Sequence, residues 1–440
     1  MSFRRELGPF DATMVVIGGI IGVGIFSNPS SVAARLDSPT LVLLAWAAGG
    51  AVAIAGAFAY AELGNLMPRV GGQYAYLNAA WHPVVGFLYG WALLLVIETG
   101  AIAAVAIIFA DYTLQLVGAP GASPLPIAVG AIALLSVINF FGVKPGSRVL
   151  NVFVVLKILA LAILIAFAWL HTGRPDWLST ARVDDTPSTA LSFGQALIPI
   201  LFSYGGWQVA NYVAEEMRDP ERHLPRSLIM GTLAVVAIYL LVNVSFLRTF
   251  GLAGLASTKT PAADAATDWF GAAGGRFVAA AIATSAFGFI NLAVLAPTRV
   301  YYAMAADGAF WSALSRLHPR YGTPSAAIVL QSAWAILLTV TGTYDQLVNS
   351  VVFADWIFFG LTVSGLFILR PRLAKPGGYR TPGYPWLPAV FVTVAVTVVF
   401  SSILEAPGRS AIGAGLLLAG IPVFYFFKSV SARRATGRPR

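Results

Sequence analysis

The chain has 440 residues, of which 58% are hydrophobic and only 11% are charged. A soluble domain carries about 25% charged residues, so this composition excludes an ordinary globular protein and indicates a chain that crosses a membrane many times. The chain contains no cysteine, which excludes disulfides, thiolate metal ligands and a disulfide-linked partner subunit.

Twelve runs of mostly apolar residues are long enough to predict membrane-spanning helices, each of which needs about 20 such residues. The first run follows MSFRRELG, a basic start of the kind found in signal peptides. This run is too long for a signal peptide and contains SNP, so we predict a retained first span. In chain order the predicted spans are 10–35, 40–66, 84–117, 125–143, 148–171, 190–217, 226–250, 274–305, 323–341, 345–370, 384–404 and 409–429.

Lysine and arginine residues are distributed unevenly between alternate loops. If the N-terminus is cytoplasmic, twenty of them fall on the cytoplasmic side and seven on the other side. Because positive residues concentrate on the cytoplasmic side, we predict a multi-pass protein of the cell membrane with both termini in the cytoplasm. The net charge of +9 then faces the anionic head groups of the lipid bilayer, and no nucleic-acid partner is needed to explain it.

The first span contains the stretch VIGGIIGVGIF, in which Gly18, Gly19, Gly22 and Gly24 interrupt an otherwise apolar run. Each glycine weakens a helix interior by roughly 1 kcal/mol relative to alanine, so four of them predict a break. Backbone groups freed within the hydrocarbon are tolerable only where they line a cavity or meet a ligand. The alternative is that these glycines only allow close helix packing.

Three ionisable side chains lie within later spans: Glu98 in span three, Lys157 in span five and Asp355 in span ten. A charge in hydrocarbon is costly and is by default a functional hypothesis. Glu98 could carry a proton, select cationic substrates or pair with Lys157. Lys157 could take part in proton coupling, or its side chain could extend to the cytoplasmic interface. Asp355 opens the apolar part of its span and could lie near the extracellular end.

The sixth span contains a second break, at Gly205 and Gly206 in ILFSYGGWQVANYVAEE. Two interrupted spans that lie five spans apart fit an inverted repeat of five plus five helices, and paired breaks of this kind point to a substrate site at the membrane midplane. We therefore predict a first repeat in residues 1–171, a second in 190–370, two additional helices in 384–429 and a cytoplasmic tail in 430–440.

The two breaks offer complementary binding groups. Unwinding around residues 22–24 frees N–H groups at the positive start of a half-helix, which binds anions. Unwinding at residues 204–206 frees carbonyl groups, which suit a cation. A ligand with a carboxylate and an ammonium on one carbon matches both breaks, and such a ligand is an α-amino acid.

The sequence lacks the signals of several other functions. Its four histidines do not have the spacing of metal ligands, and it has no phosphate-binding loop that could bring ATP to the transport step. A channel would need a continuous polar pore, whereas the polar groups here cluster at one depth. A membrane enzyme or sensor would need a catalytic constellation or an attached soluble domain. We therefore expect no enzyme activity, no cofactor and no metal.

Five segments together carry a resemblance that covers nearly the whole chain. They are GGIIGVGIFSNP, AYAELGNLMPRVGGQYAYL, GVKPGSRVLNVFVVLKILAL, FSYGGWQVANYVAEEMRDPERHLPRSL and SAFGFINLAVLAPTRVYYAMAADG. The chain thus resembles the amino acid–polyamine–organocation (APC) superfamily, in particular a bacterial L-type amino acid transporter without the heavy chain. The resemblance implies an all-α polytopic membrane protein of the LeuT type, with a 5+5 inverted repeat, about twelve transmembrane helices and broken helices 1 and 6.

By this resemblance, backbone N–H groups of Val23, Gly24 and Ile25 would bind the substrate carboxylate. Carbonyl groups at both breaks would bind its ammonium, and the Phe202 ring would close over it. Val23 stands where the family often has a small hydroxyl residue, so one side-chain hydrogen bond is lost. The ammonium acceptors would be the carbonyls of Ile20, Phe202 and Gly205. The full candidate substrate-binding set is Ile20, Gly22, Val23, Gly24, Ile25, Ile97, Phe202, Ser203, Gly205, Ser285 and Trp356.

Four further residues are candidates for coupling or gating: Lys157, Glu98, Tyr239 and Asn291. In relatives, a lysine at the position of Lys157 lies near the place where sodium-coupled members bind a sodium ion. The resemblance therefore implies sodium-independent transport. It also places Tyr239 near the first break and Asn291 beside the substrate.

We expect a sodium-independent secondary transporter of small or neutral α-amino acids that works by alternating access, as an exchanger or a permease. A proton-coupled transporter and a transporter of amines or cationic amino acids are the alternatives within the same fold. Acidic residues at the cytoplasmic ends of spans are expected to pair with nearby arginines at an inner gate: Glu62, Glu215 and Glu216 with Arg69, Arg218 and Arg222.

Overall fold

The computed structural model describes residues 7–69, 71–119, 121–141, 146–171, 173–174, 177–178, 190–373 and 377–435, without the side chains of residues 146–150, 344, 345, 349 and 432–435. Within these ranges the regular structure is helical, and no β-sheet occurs; an isolated β-bridge joins Leu7 and Met217. The all-α class is therefore confirmed. The basic start, residues 1–6, and residues 436–440 of the predicted tail lie outside the described ranges.

The described ranges contain seventeen α-helices, a π-helical turn at Leu93–Ile97 and 3-10 turns at Ala214–Glu216 and Ser312–Ser315. The α-helices are α1 (Pro9–Ile20), α2 (Gly24–Ala33), α3 (Pro39–Leu66), α4 (Gln73–Ala80), α5 (Pro83–Ala92), α6 (Glu98–Leu116), α7 (Leu125–Phe140), α8 (Gly146–Leu170), α9 (Ala190–Tyr204), α10 (Val209–Tyr212), α11 (Pro220–Ser257), α12 (Pro261–Leu295), α13 (Thr298–Ala306), α14 (Ser325–Thr341), α15 (Tyr344–Leu373), α16 (Trp386–Glu405) and α17 (Pro407–Ala435).

Nine helical segments of the described residues are long and apolar enough to cross a membrane. Three shorter apolar helices, α7, α9 and α14, lie at the positions of the other three predicted spans. These segments make the chain a polytopic membrane protein. The count of twelve spans, the five-plus-five repeat and its domain bounds stay predictions.

Two helices extend beyond their predicted bounds. α12 begins at Pro261, well before the predicted residue 274, and its backbone turns at Gly271, where φ is 66°. Its first part is rich in alanine, which favours helix, but Asp264 and Asp268 lower the hydropathy, so a search for apolar runs misses it. α17 continues to Ala435, into the predicted tail.

Both predicted interruptions are present. α1 ends at Ile20 and α2 begins at Gly24, with residues 21–23 between them outside any helix. In the sixth predicted span, α9 ends at Tyr204 and α10 begins at Val209. Gly206 in this second break has a φ of 110°, a conformation that favours glycine because other residues place a β-carbon there under strain.

The two interrupted helices pack backbone against backbone. A β-carbon added at Gly206 would overlap the carbonyl of Gly19, and one added at Gly19 would lie 2.7 Å from the carbonyl oxygen of Gly206. Close packing therefore explains Gly19, which lies inside α1, whereas Gly206 lies in a break. Gly206 therefore combines both interpretations of the glycines, since it lies in a break and also packs closely against the backbone of Gly19.

Two of the acids expected at an inner gate form ion pairs with segments that are far away in the chain. Glu62 on α3 pairs with Arg370 on α15 at 3.0 Å, and Glu216 pairs with Arg299 on α13 at 3.2 Å. The prediction that these two acids pair with arginines nearby in the sequence is therefore wrong. α3 ends before Arg69, and helices packed beside the acids supply the cations instead.

We expect Gly206→Ala to destabilise the protein strongly. The added β-carbon would overlap the Gly19 carbonyl, and an alanine held at positive φ costs about 1–3 kcal/mol by itself. Thermal unfolding of the purified protein in detergent should show a large fall in the midpoint. The matched control is Gly130→Ala in α7, where a β-carbon would meet nothing within 4 Å and should stabilise by up to about 1 kcal/mol. Equal midpoints for the two variants would contradict the close contact.

Candidate functional site

The two breaks face one open cavity, with about 780 Å³ of empty space including the part that is open to the outside. Its wall is built from the ends of α1, α2 and α9 and from parts of α6, α12 and α15. Ten of the residues predicted from the sequence line it: Ile20, Gly22, Val23, Gly24, Ile97, Glu98, Phe202, Ser203, Gly205 and Trp356. Most of the candidate set therefore comes together at one place.

Five predicted residues do not line this cavity: Ile25, Lys157, Tyr239, Ser285 and Asn291. Ile25 is buried one residue inside α2, and Ser285 is buried with its hydroxyl lacking a partner among the described residues. The side-chain oxygen of Asn291 accepts a hydrogen bond from Asn139 on α7 at 2.8 Å. Asn291 thus joins two helices in this arrangement.

The start of α2 presents free hydrogen-bond donors. In its first turn the Phe26 N–H donates back to the carbonyl of Val23 at 3.0 Å, and no described residue accepts from the N–H groups of Val23, Gly24 or Ile25. Unpaired N–H groups at a helix start carry a partial positive charge and bind anions. This end of the cavity suits a carboxylate.

Ser203 fixes the start of α2 against α9. Its hydroxyl donates to the carbonyl of Pro199 at 2.8 Å and accepts from the side chain of Asn28 on α2, also at 2.8 Å. A β-carbon on Gly24 would lie 2.5 Å from this hydroxyl oxygen. Ser203 therefore lines the cavity with its hydroxyl already engaged, and it positions the donors of α2.

The other break supplies acceptors. The N–H of Gly205 donates to the Phe202 carbonyl at 3.2 Å, and the N–H of Gly206 donates to the side chain of Gln208 at 3.0 Å. Among the described residues, none donates to the carbonyl of Gly205. Carbonyl groups at a helix end carry a partial negative charge, so this side of the cavity suits an ammonium group.

The carbonyl of Ile20 is already used. It accepts from the hydroxyl of Tyr239 at 3.0 Å and from the N–H of Gly22 at 2.8 Å. A carbonyl oxygen has two lone pairs, so in this arrangement it has none left for a substrate ammonium. Of the predicted acceptors, the carbonyl of Gly205 has no donor among the described residues.

Lys157 supports the first break from behind. Its side chain is buried at 4% exposure, and its ammonium donates to the carbonyl of Ile21 at 2.9 Å. The alternative that Lys157 extends to the membrane interface is therefore wrong. No ion pair with Glu98 is found among the described residues. Lys157 and Tyr239 together satisfy the carbonyl groups that the end of α1 exposes.

Two carboxyl groups face the cavity, those of Glu98 and Asp355. Glu98 directly follows the π-helical turn Leu93–Ile97, and such turns redirect the side chains that follow them and are frequent at functional sites. Asp355 is 8% exposed, and one of its oxygens has no partner among the described residues. Among the described residues of the cavity wall, these two carry carboxyl groups and none carries a basic side chain.

Sequence reasoning missed several apolar residues of the wall. Phe289, which lies one turn after Ser285 on α12, has its ring 3.4 Å from where a β-carbon on Gly22 would be. Val351 and Val352 on α15 also line the cavity. In a helix that is apolar on every side, nothing in the sequence distinguishes a phenylalanine or valine that faces a cavity from one that faces a neighbouring helix.

These features define a class of protein first. An apolar helical bundle with two interrupted helices, whose free donors and acceptors face one interior cavity, has the architecture of a membrane transporter for small solutes. The chain belongs to the amino acid permease family, which it matches over residues 7–427. It is thus a member of the APC superfamily of amino acid transporters, as its resemblance predicted.

Relatives match over nearly their whole length. The serine/threonine exchanger SteT of Bacillus subtilis is 32% identical, with 98% of each chain covered. The human b(0,+)-type amino acid transporter 1 is 31% identical, with 97% of this chain and 88% of the relative covered. The human large neutral amino acids transporter small subunit 2 is 29% identical, with 97% and 81% covered.

We expect Lys157→Met to lower both stability and substrate uptake. The methionine fills similar space but leaves the buried Ile21 carbonyl without its donor, which costs about 1–3 kcal/mol. Thermal unfolding in detergent and uptake into proteoliposomes would measure the two effects. The control is Lys259→Met, at an exposed position, which should change stability by no more than about 0.5 kcal/mol. If the two variants had the same stability and the same uptake, Lys157 would have no role in supporting the first break.

Proposed function

We propose that this chain is a sodium-independent exchanger of α-amino acids that works by alternating access. The observation that carries the proposal is the pair of helix ends in one cavity: free N–H groups at the start of α2 and, directly after the end of α9, the carbonyl of Gly205, which has no donor among the described residues. The carboxylate and ammonium of an amino acid lie on one carbon, so a single substrate can meet both ends at once. Binding at interrupted helices also lets a change in their packing expose the site to either side of the membrane.

Sodium independence is supported by the position of Lys157. Its ammonium donates to the Ile21 carbonyl at 2.9 Å, next to the first break. A fixed positive charge there has the role that a bound cation would otherwise have, namely to satisfy the carbonyl groups freed by the break. No bound sodium ion is then needed to hold the two half-helices in place.

We expect the substrates to be small, neutral amino acids. One relative is named as a serine/threonine exchanger and another as a transporter of large neutral amino acids. The apolar residues of the cavity wall include Phe289 and Trp356 along with valine and alanine residues. We place the protein in the cell membrane with both termini in the cytoplasm and assign it no enzymatic activity.

Uptake into proteoliposomes tests this function. Liposomes containing the purified protein would be loaded with unlabelled serine or left empty, and radiolabelled serine would be added outside without sodium. We expect fast uptake only into loaded liposomes, and no change when sodium is added, because exchange needs a substrate on both sides. Uptake into empty liposomes that follows a pH gradient would replace exchange with proton symport. If no common amino acid were taken up, the proposed function would fall.

A second candidate is transport of amino acids with an additional positive charge. The observation that favours it is the placement of Glu98 and Asp355 in the wall of the same cavity, where no described wall residue has a basic side chain. Buried carboxylates need a partner. The α-ammonium of a neutral amino acid is already used at the second break, whereas the side chain of lysine or arginine would bring an additional cation.

Glu98→Gln separates the two candidates. If a substrate cation pairs with Glu98, the variant should lower lysine uptake relative to leucine uptake by about tenfold or more, since a hydrogen bond to a charged group contributes about 1.5–3 kcal/mol. The control is Asp268→Asn, at an exposed position outside the cavity, which should leave the ratio unchanged. A wild-type protein that exchanges serine but does not take up lysine would retain the first candidate and exclude the second.

A further inference from the structure

A second cavity lies apart from the first, between α2, α8 and α12. It has about 480 Å³ of empty space including the part that is open to the outside, and every described residue that lines it is apolar or glycine. Its inner wall contains buried residues such as Phe26, Leu164 and Ile282, which are 2%, 4% and 0% exposed. At its mouth are the rings of Phe270 and Phe277, which are 45% and 61% exposed. The cavity is thus an apolar cleft that opens on the outside of the bundle.

The helices on both sides of this cleft have the length and composition of membrane spans. α8 and α12 both contain segments long and apolar enough to cross a membrane, so the exposed rings at the mouth lie on a lipid-facing surface. Water would gain few hydrogen bonds in a space with no polar side chain. The molecule that can fill the cleft without loss of hydrogen bonds is an acyl chain from the bilayer.

Aromatic and basic residues mark one end of the cleft. Trp269, which lines it, stacks on His171 with ring centres 5.8 Å apart. Arg248 on α11 lies beside the end of α8. Its guanidinium carbon is 5.1 Å from the centre of the Trp169 ring, and its Nε donates to the carbonyl of Ala168 at 3.2 Å. Tryptophan concentrates at the level of lipid head groups, and basic side chains there attract anionic lipids. This end therefore has the chemistry of a phosphate contact.

We propose that this cleft binds one acyl chain of an anionic phospholipid, with the lipid phosphate beside His171 and Arg248. The inner end of the chain would touch Phe26, which is two residues from Gly24 at the start of α2. The lipid would thus pack against the half-helix whose free N–H groups face the first cavity. This site is separate from the substrate cavity and does not depend on which amino acid is exchanged.

Photo-crosslinking tests the proposal directly. The full-length protein would be reconstituted in phosphatidylcholine vesicles with a small amount of phosphatidylglycerol that carries a diazirine within one acyl chain. After illumination, mass spectrometry would map the labelled residues. We expect label on the buried Phe26, Leu164 and Ile282 as well as on the exposed Phe277, since only an inserted chain reaches the inner wall. Label confined to Phe277 and other exposed residues would overturn the proposal.

A cavity-filling variant provides a second test. Ala281→Phe places a ring in the cleft and should remove the label from the inner wall, whereas Ala411→Phe on the exposed face of α17 should not. If a folded Ala281→Phe protein were labelled on the inner wall as strongly as the wild type, the proposal that an acyl chain occupies the cleft would be wrong. If this variant does not fold, the labelling pattern of the wild-type protein still decides.

Head-group preference tests the phosphate contact. Unlabelled phosphatidylglycerol should compete for the inner-wall label better than unlabelled phosphatidylcholine, and Arg248→Gln should reduce that advantage by about fivefold, as expected for one basic residue near an anionic lipid. Equal competition by the two lipids in the wild-type protein would restrict the site to the acyl chain and overturn the proposed phosphate contact.

Discussion

The structure depends on one constraint: backbone groups freed inside an apolar bundle must find partners there. The end of α1 exposes the carbonyls of Ile20 and Ile21, which are met by the hydroxyl of Tyr239 and the ammonium of Lys157. These donors come from α11 and α8. The break is therefore held by helices on its far side, and the freed groups that face the cavity are left for a ligand.

Contact between the two interrupted helices follows from the same constraint. Because Gly19 and Gly206 have no side chains, their backbones approach more closely than any other residue would allow. This contact brings the donors of α2 and the carbonyl end of α9 to one cavity. Asn28 and Ser203 hold the two helices in that position through a shared hydrogen bond of 2.8 Å.

The ionisable residues inside the bundle are accommodated in different ways. Lys157 is satisfied by a carbonyl and Glu62 by both Arg370 and the N–H of Thr381, at 3.0 Å and 2.7 Å. Glu98 and Asp355 instead face the cavity. A buried charge with a fixed partner stabilises a conformation, whereas a carboxyl at a cavity wall remains open to a proton or a ligand. This difference separates structural charges from candidate specificity residues.

The sequence alone determined the all-helical membrane class, the two breaks and the family, because hydrophobic run length and glycine clusters are local properties that need no knowledge of packing. It also indicated ten of the residues that line the first cavity. Only the tertiary structure decided that Glu62 pairs with Arg370, that Lys157 donates to Ile21, and which wall residues lie beside Glu98. The reason is physical: in helices that are apolar on every side, no polar stripe shows which face meets which neighbour. Contacts between distant segments are then set by how the helices pack.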